Sequence, residues 1–109
     1  MFAVIYRSFI KPGHEERYQD NWKKIASYFV KKRGALGSSL HKTKEGLWVA
    51  YSRWPDEATR AASWPSGDDV ANPDLPSDIC EAIKNLKDCL ENQLPEICME
   101  VQEEVFCLN

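Results

Sequence analysis

One histidine lies inside a strand-like segment and is the most reactive candidate in the chain. His41 belongs to the segment SSLHKT, between residues with strand propensity. An imidazole at such a position is able to act as a base or to orient a ligand. The alternative is an ordinary strand-face histidine that is bonded to a neighbour or to water.

Two arginines interrupt apolar segments at Arg7 and Arg53. A guanidinium within a sheet needs a partner, because an unpaired buried charge is costly. One hypothesis is recognition of an anionic or phenolate-like ligand. The other is an ion pair with a glutamate of the last strand, for which the candidates are Glu100, Glu103 and Glu104.

Four aromatic residues are candidates for the walls of a pocket for a flat ligand: Tyr6, Tyr51, Trp54 and Trp64. Aromatic residues of a small sheet are also ordinary core. Trp54 and Trp64 are the stronger candidates, since they flank a short predicted helix where a pocket would open. Charged residues nearby are expected to form a solvated rim: Glu57, Arg60, Asp68, Asp69 and Asp74.

Four cysteines follow one another at intervals of nine residues, as Cys80, Cys89, Cys98 and Cys107. That interval puts successive cysteines on opposite sides of a helix or a strand. There is no CxxC pair, and neither histidine lies near them in the sequence. We therefore expect reduced thiols and no metal site.

Length, charge and hydropathy exclude several classes of protein. The 109 residues suffice for one domain, predicted to span residues 1–109. A net charge of −3 argues against nucleic acid as a partner. No segment has the ~20 apolar residues of a membrane span. The start of the chain lacks the pattern of a signal peptide, so we expect a cytoplasmic protein.

The apolar periodicity predicts the order of the elements. Residues 2–10 read as a central strand, and residues 14–33 as a helix with an apolar stripe. Residues 36–43 and 47–54 form a predicted hairpin, and Asp56 is the expected N-cap of a short helix.

The second half of the chain is predicted to hold a loop, a helix and a strand. The loop covers residues 65–76, and the strand covers residues 97–108. The helix between them begins at Ser77 and is stopped by Pro95. Its predicted stripe consists of Ile79, Ile83, Leu86, Leu90 and Leu94.

The resulting order, β-α-β-β-α-β, predicts an α+β, ferredoxin-like fold with a four-stranded antiparallel sheet. Helices cover one face of such a sheet, and apolar residues occur on both sides of the third strand. The uncovered face would be a large apolar patch, which monomers seldom expose. We therefore expect a homodimer, or else a 65–76 loop that folds over this face.

Two stretches resemble the antibiotic biosynthesis monooxygenase family: VIYRSFIKPGHEERYQDNW and KKRGALGSSLHKTKEGLWVAYSRWPDEATRAASW. The resemblance covers about two thirds of the chain and implies a dimeric α/β barrel with a pocket between sheet and helices. Some family members are oxygenases without metal or flavin, in which a deprotonated phenol or quinol reduces dioxygen. Two departures are clear: no histidine follows the short helix, and the first strand lacks the asparagine of haem-degrading relatives.

The hypothesis is thus a cofactor-independent monooxygenase for a small aromatic substrate, with no cofactor. His41 or the Tyr51 hydroxyl would assist deprotonation, and Arg7 or Arg53 would stabilise the anion. The predicted catalytic set is His41, Arg7 and Tyr51, and the predicted substrate-binding set is Tyr6, Arg53, Trp54 and Trp64. The alternative is a non-enzymatic dimeric module that binds a small hydrophobic ligand or a protein.

Overall fold

A four-stranded antiparallel sheet with helices on one face makes up the structure, a computed structural model that describes residues 1–63 and 75–105. The elements in chain order are β1 (Phe2–Ile10), α1 (Glu15–Lys32), β2 (Gly37–Lys42), β3 (Trp48–Trp54), α2 (Glu57–Ser63), α3 (Ser77–Asp88) and β4 (Leu90–Glu100). The strand order is β2-β3-β1-β4. The predicted ferredoxin-like arrangement is confirmed, with its second helical region split into α2 and α3.

Helix α1 agrees with its prediction to within one residue at each end. It follows a turn in which Gly13 has φ +84°, a conformation that favours glycine. Acidic residues occupy its first turn and lysines its last, which suits the helix dipole. The predicted apolar stripe contains the two buried residues of the helix, Tyr18 and Phe29.

The hairpin and the short helix also form as predicted. Gly46, with φ +89°, donates its N–H to the carbonyl of Thr43 and closes the turn between β2 and β3. Asp56 caps α2, because Thr59 N–H donates to Asp56 Oδ1 at 2.7 Å. Hydrogen bonds from Thr59 hold the pKa of the Asp56 carboxyl below its usual value.

The second main helix was predicted wrongly at its end, as was the last strand. Helix α3 ends at Asp88, and β4 already begins at Leu90 and contains Pro95. The pairing of β4 with β1 has two irregularities, and each leaves an extra residue on β4. As a result Leu90, Gln93 and Glu96 all face the helices at a spacing of three, which imitates a helical period.

The strand pairing assigns each strand residue to one of two faces. On β1, Phe2, Val4, Tyr6, Ser8 and Ile10 face the helices. The first four pair with Trp54, Ser52, Ala50 and Trp48 of β3, in that order. Ile10 lies beyond the stretch of β1 that pairs with β3. The buried core forms two clusters on this side, one around Phe29 and Trp54 and one around Tyr18 and Trp48.

The opposite side of the sheet, called here the open face, carries the alternate residues. These include His41 on β2, Val49 and Tyr51 on β3, and Ile5 and Arg7 on β1. Ile97 of β4 pairs with Ile5 and is 39% exposed. No helix packs on this face within the described residues.

Several expectations fall on parts of the chain that the structure does not describe. Trp64 and residues 65–74 of the predicted loop lie outside the described residues, as do residues 106–109 with Cys107. None of the helices described at residues 1–63 and 75–105 is long and apolar enough to cross a membrane.

Candidate ligand cavity between sheet and helices

A cavity of about 160 Å³ lies between the sheet and helices α1 and α3. Its floor consists of strand residues: Tyr6, Ser8, Ser38, Ala50, Ser52, Trp54, Leu90 and Gln93. Its roof consists of helix residues: Tyr18, Trp22, Ile25, Ala26, Phe29, Ile83, Leu86 and Lys87. Since members of both core clusters line it, the cavity lies where the two clusters meet.

The cavity exists because small side chains occupy the middle of the helix-side face. Ser38 pairs with Ser52, and Ala50 pairs with Tyr6. Ser8, which is only 3% exposed, is the next residue of β1 after Tyr6 that faces the helices. A hydroxymethyl or methyl group cannot fill the height between sheet and helix that a Leu or Phe would fill, so space remains.

The lining residues include six aromatic side chains: Tyr6, Tyr18, Trp22, Phe29, Tyr51 and Trp54. Phe29 and Trp54 contact each other edge to face with ring centroids 6.3 Å apart, and Tyr18 meets Trp48 in the same way at 5.6 Å. Burial and, secondarily, Cys89 raise the pKa of the Tyr18 hydroxyl to about 12. Aromatic walls with a few polar groups are typical of pockets for small organic ligands.

The volume of the cavity limits the size of the ligand that it can hold. A cavity of ~150 Å³ suffices for benzene, whereas drug-sized ligands occupy ~300–1,000 Å³. The space of about 160 Å³ therefore matches a single aromatic ring.

Polar groups enter this apolar space from the floor. Ser8, Ser38 and Ser52 contribute hydroxyl groups, and Ser52 Oγ accepts a hydrogen bond from Trp54 Nε1 at 3.3 Å. The hydroxyl of Tyr6 accepts a hydrogen bond from Arg60 Nη2 at 3.0 Å. Hydrogen-bond partners for a ligand oxygen are therefore available on the sheet side of the cavity, in addition to the polar groups of Tyr18 and Lys87 in the roof.

Arg60 connects this tyrosine to the last strand. Its guanidinium donates to both carboxylate oxygens of Glu96, at 3.0 and 3.3 Å, and its side chain is only 15% exposed. Burial raises the pKa of the Tyr6 hydroxyl above its usual value, and Arg60 opposes part of that rise. The expectation that Arg60 belongs to a solvated rim is wrong, because α2 turns this side chain back over the sheet.

The irregularity in β4 brings Glu96 to Arg60. Between the pairs Ile5–Ile97 and Arg7–Leu94, β1 has one residue, Tyr6, whereas β4 has two, Pro95 and Glu96. A bulge at an edge strand tolerates proline, whose nitrogen has no hydrogen to donate.

The predicted site residues divide between the two faces of the sheet. Tyr6 and Trp54 lie on the helix side and line the cavity. Arg7, His41 and Arg53 belong to the open face by their pairing. Tyr51 borders the cavity, although its pairing with Ile5 and Ser39 assigns its side chain to the open face as well.

Both arginines of the open face have partners within the chain. Arg53 forms an ion pair with Glu104, which confirms one of the two hypotheses for this residue. Arg7 Nη2 donates to the carbonyl oxygen of Pro95 at 3.1 Å. The partner of Arg7 is therefore a backbone carbonyl of the bulge, and no glutamate pairs with it among the described residues.

His41 is exposed, and its Nε2 lies 2.9 Å from the hydroxyl of Ser39. The two residues are two positions apart on β2, so their side chains lie on the same face of the sheet, the open face. The pair does not line the cavity, but it borders a second cleft between β2 and α1, whose lining shares Trp22 and Ser38 with the cavity. A catalytic role of His41, Arg7 or Tyr51 stays a prediction.

Trp22, Arg60 and the three serines were not recognised as site residues from the sequence. Trp22 was assigned to the apolar stripe of α1, which is correct but says nothing about the space beneath it. The serines carried a usable signal: small polar residues in the middle of strands that otherwise bear large apolar side chains.

Cysteines do not assemble into a metal site in the part of the chain that the structure describes. Cys89 is buried, and burial raises the pKa of its thiol. Cys98 is exposed and lies 3.7 Å from Glu96 Oε1; burial, followed by the charge of Glu96, raises its pKa.

Residues 1–70 match the family model described as antibiotic biosynthesis monooxygenase. This match covers more than half of the 109 residues, and it includes β1, which supplies Tyr6, and β3, which supplies Trp54. The chain belongs to the antibiotic biosynthesis monooxygenase family, as the resemblance in the sequence predicted.

Solved structures are similar over nearly the whole chain. A crystal structure of an antibiotic biosynthesis monooxygenase has a TM-score of 0.70 at 15% identity, covering 94% of this chain and 100% of that one. A conserved protein from Methanosarcina mazei Go1 has a TM-score of 0.70 at 14% identity, with 93% and 92% covered. At such identities the similarity establishes the fold.

A third similar structure is a variant of SnoaB, a cofactor-independent oxygenase from Streptomyces nogalater. It has a TM-score of 0.70 at 11% identity and covers 95% of each chain. No protein of curated function matches the chain in sequence.

Proposed function

We propose that this protein is a cofactor-independent monooxygenase that oxidises a small phenol- or quinol-type ring in the cavity between sheet and helices. The observation that carries the proposal is the cavity itself, which has aromatic walls and hydroxyl groups along its floor. Family membership supports the reaction class, and the similarity to an oxygenase named as cofactor-independent agrees with it.

The reaction needs no external reductant. A phenol with a free para position is deprotonated, and its electron-rich anion reduces dioxygen. The para C–H carbon becomes a carbonyl carbon, so that the phenol and O2 yield a para-quinone and one water. One oxygen atom enters the quinone and the other leaves as water, and the ring supplies all four electrons.

Side chains of the cavity bind and orient this ring. Trp54 and Phe29 form apolar walls, and the Tyr6 hydroxyl and the floor serines are partners for the substrate oxygen. Excluding water strengthens these hydrogen bonds, since the local dielectric is low. Stacking by Trp64 remains part of the proposal, as a prediction from the sequence.

The proposal includes a homodimer that covers the open face. Ile97 is 39% exposed beside Ile5, and Val49 and Tyr51 continue the apolar surface on β3. The same face of a second copy would bury this surface symmetrically. His41, Arg7 and Arg53 would then lie at or near the interface between protomers.

Oxygen consumption tests the reaction. The metal-free protein is supplied with single-ring phenols and, for comparison, with three-ring anthrones, and quinone is followed by absorbance with 18O2 as the oxygen source. We expect one labelled atom per quinone and faster turnover of the single-ring phenols, because of the cavity volume.

Two matched variants locate the reaction. Ala50→Leu fills the cavity floor, whereas Val49→Leu puts the same side chain at the neighbouring open-face position. Turnover should vanish in the first variant and persist in the second. No turnover above buffer with any ring, or equal turnover in both variants, contradicts the proposal.

A non-enzymatic binding module is the second candidate. The described residues that line the cavity include no histidine and no carboxylate, so they offer no conventional base. Native mass spectrometry of the purified protein distinguishes the two functions. A retained aromatic ligand together with no oxygen uptake would favour the binding module.

A further inference from the structure

We propose that Arg60 is a positioning residue that orients the Tyr6 hydroxyl as a hydrogen-bond donor to an anionic ligand oxygen in the cavity. This inference rests on the proposed function, because it concerns how the same cavity recognises a phenolate. It adds two residues outside the cavity lining, Arg60 and Glu96, to the binding machinery.

The direction of the hydrogen bond is fixed by the chemistry of the guanidinium. Arginine has only donors, so at the 3.0 Å contact Arg60 Nη2 donates and the Tyr6 oxygen accepts. The hydrogen of Tyr6 then points elsewhere, and no described residue accepts it. Since Tyr6 lines the cavity, we infer that a ligand oxygen there accepts this hydrogen.

Glu96 holds the guanidinium in place. Its two carboxylate oxygens accept hydrogen bonds from Nη1 and Nη2 of Arg60. These two hydrogen bonds hold the guanidinium while it donates to Tyr6. The bulge of β4 gives Glu96 its position opposite Tyr6. Such a charged donor polarises the phenol and makes it a stronger donor toward the ligand.

The protonation states are consistent with this role. Burial raises the pKa of Tyr6, so the hydroxyl keeps its hydrogen at neutral and mildly alkaline pH, where an acidic phenol such as 4-nitrophenol ionises. The tyrosine therefore donates to the anionic form of the ligand and favours it over the neutral form.

A titration of bound 4-nitrophenol tests the inference. This single-ring phenol absorbs in the visible only as the phenolate, so its ionisation is read directly by absorbance. In the unaltered protein the pKa of the bound probe should lie below that of the free probe. Tyr6→Phe should raise it by about one unit, which equals about tenfold in phenolate affinity.

Variants of Arg60 test the positioning role. Arg60→Met should weaken phenolate binding by about threefold, the lower end of what one hydrogen bond contributes. Arg60→Lys keeps a charged donor and should restore most of this loss. Thermal unfolding of each variant is recorded, so that a change in folding is not mistaken for a change in the pKa of the probe.

The matched control is the other tyrosine–arginine pair. Arg33 Nε donates to the Tyr28 hydroxyl at 3.3 Å, and Tyr28 is not among the described residues of the cavity. Tyr28→Phe should leave the pKa of the bound probe unchanged.

The results of the titration and of the Arg60 variants separate the role of Tyr6, the role of Arg60 and the proposed function. A probe that binds but titrates alike in Tyr6→Phe and in the unaltered protein overturns the role of Tyr6 and Arg60 and leaves the cavity as the site. An effect of Arg60→Met that Arg60→Lys fails to reduce overturns the positioning role. A probe that does not bind at all overturns both the inference and the proposed function.

Discussion

The two faces of the sheet are built by the same strands but differ in what covers them. On the helix side, residues such as Val4 and Trp54 are buried under α1 and α3, and a cavity remains over the small residues. On the open face, Ile5 and Ile97 pair side by side without a covering element among the described residues. One face therefore offers a cavity for a small molecule, and the other offers a surface for a protein.

The charged residues differ between the faces in the same way. Arg60 reaches the helix side and bonds to a cavity tyrosine, whereas Arg7 and Arg53 are bound by Pro95 and Glu104 on the open face. All three arginines are thus bound within their own chain, and we assign ligand recognition to the helix side because the cavity lies there.

The largest expected effect concerns the packing above the cavity. Phe29→Ala should lower the free energy of unfolding by about 3–5 kcal/mol, because it removes a buried ring beside Trp54 and enlarges the cavity. Urea denaturation measures this. Val30→Ala, on the exposed side of the same helix, should change stability by no more than about 0.5 kcal/mol. Equal losses in both variants would refute the assignment of faces on α1.

The next effect tests the open face as a protein interface. Ile97→Glu introduces a charge where two copies would meet and should weaken self-association by about 2–5 kcal/mol. Sedimentation over a range of concentrations gives the dissociation constant. Lys44→Glu, in the exposed turn before β3, is the control for charge alone. An unaltered protein that stays monomeric throughout would remove the interface from the account.

A pH effect of about 2–3 kcal/mol is expected from Tyr18, since its pKa of about 12 lies above the unfolded value of 10. For an acid whose folded pKa is raised, the stabilisation is fully present below pH 10 and is lost as the pH rises toward 12. Urea denaturation between these two limits should show this loss, and Tyr18→Phe should reduce it by about 2–3 kcal/mol. The raised pKa of Tyr6 accounts for an alkaline loss that stays in this variant. An unchanged alkaline loss in Tyr18→Phe would assign the effect to another group.

The smallest effect concerns the outer surface of the helix layer. Arg17 contacts Asp88 at 3.2 Å and Asn85 at 3.1 Å, joining α1 to the end of α3. The arginine and aspartate side chains are 42% and 64% exposed, so Arg17→Ala should cost less than about 1 kcal/mol. Added salt should reduce the difference further. A loss that is large and independent of salt would show that this contact contributes more than an exposed ion pair.

The sequence predicted the order of elements and the central position of β1, because long apolar periods are local signals. It failed at β4, where two extra residues change the side-chain period from two to three. The predicted stripe of α3 ran on because Leu86, Leu90 and Leu94 are spaced by four. Leu90 and Leu94 nevertheless belong to the strand, where they pair with Ile10 and Arg7 on opposite faces of the sheet. Such irregularities depend on the pairing with β1 and cannot be read from β4 alone.

The candidate site could be predicted only in part, for a related reason. Tyr6 and Trp54, which were predicted to bind a substrate, both line the cavity, and their role in binding stays a prediction. The sequence did not tell which parity of each strand faces the helices. His41, Arg7 and Arg53 were grouped with them by residue type alone. Arg60 was missed because its contact with Tyr6 joins residues 54 positions apart.

The position of a bound ring is the most direct test of the account. Nuclear Overhauser contacts can be recorded between bound 4-nitrophenol and the aromatic side chains of the protein. We predict contacts to Trp54, Phe29 and Tyr6 on the helix side. Contacts to His41 and Tyr51 of the open face, with none to Trp54 and Phe29, would contradict it.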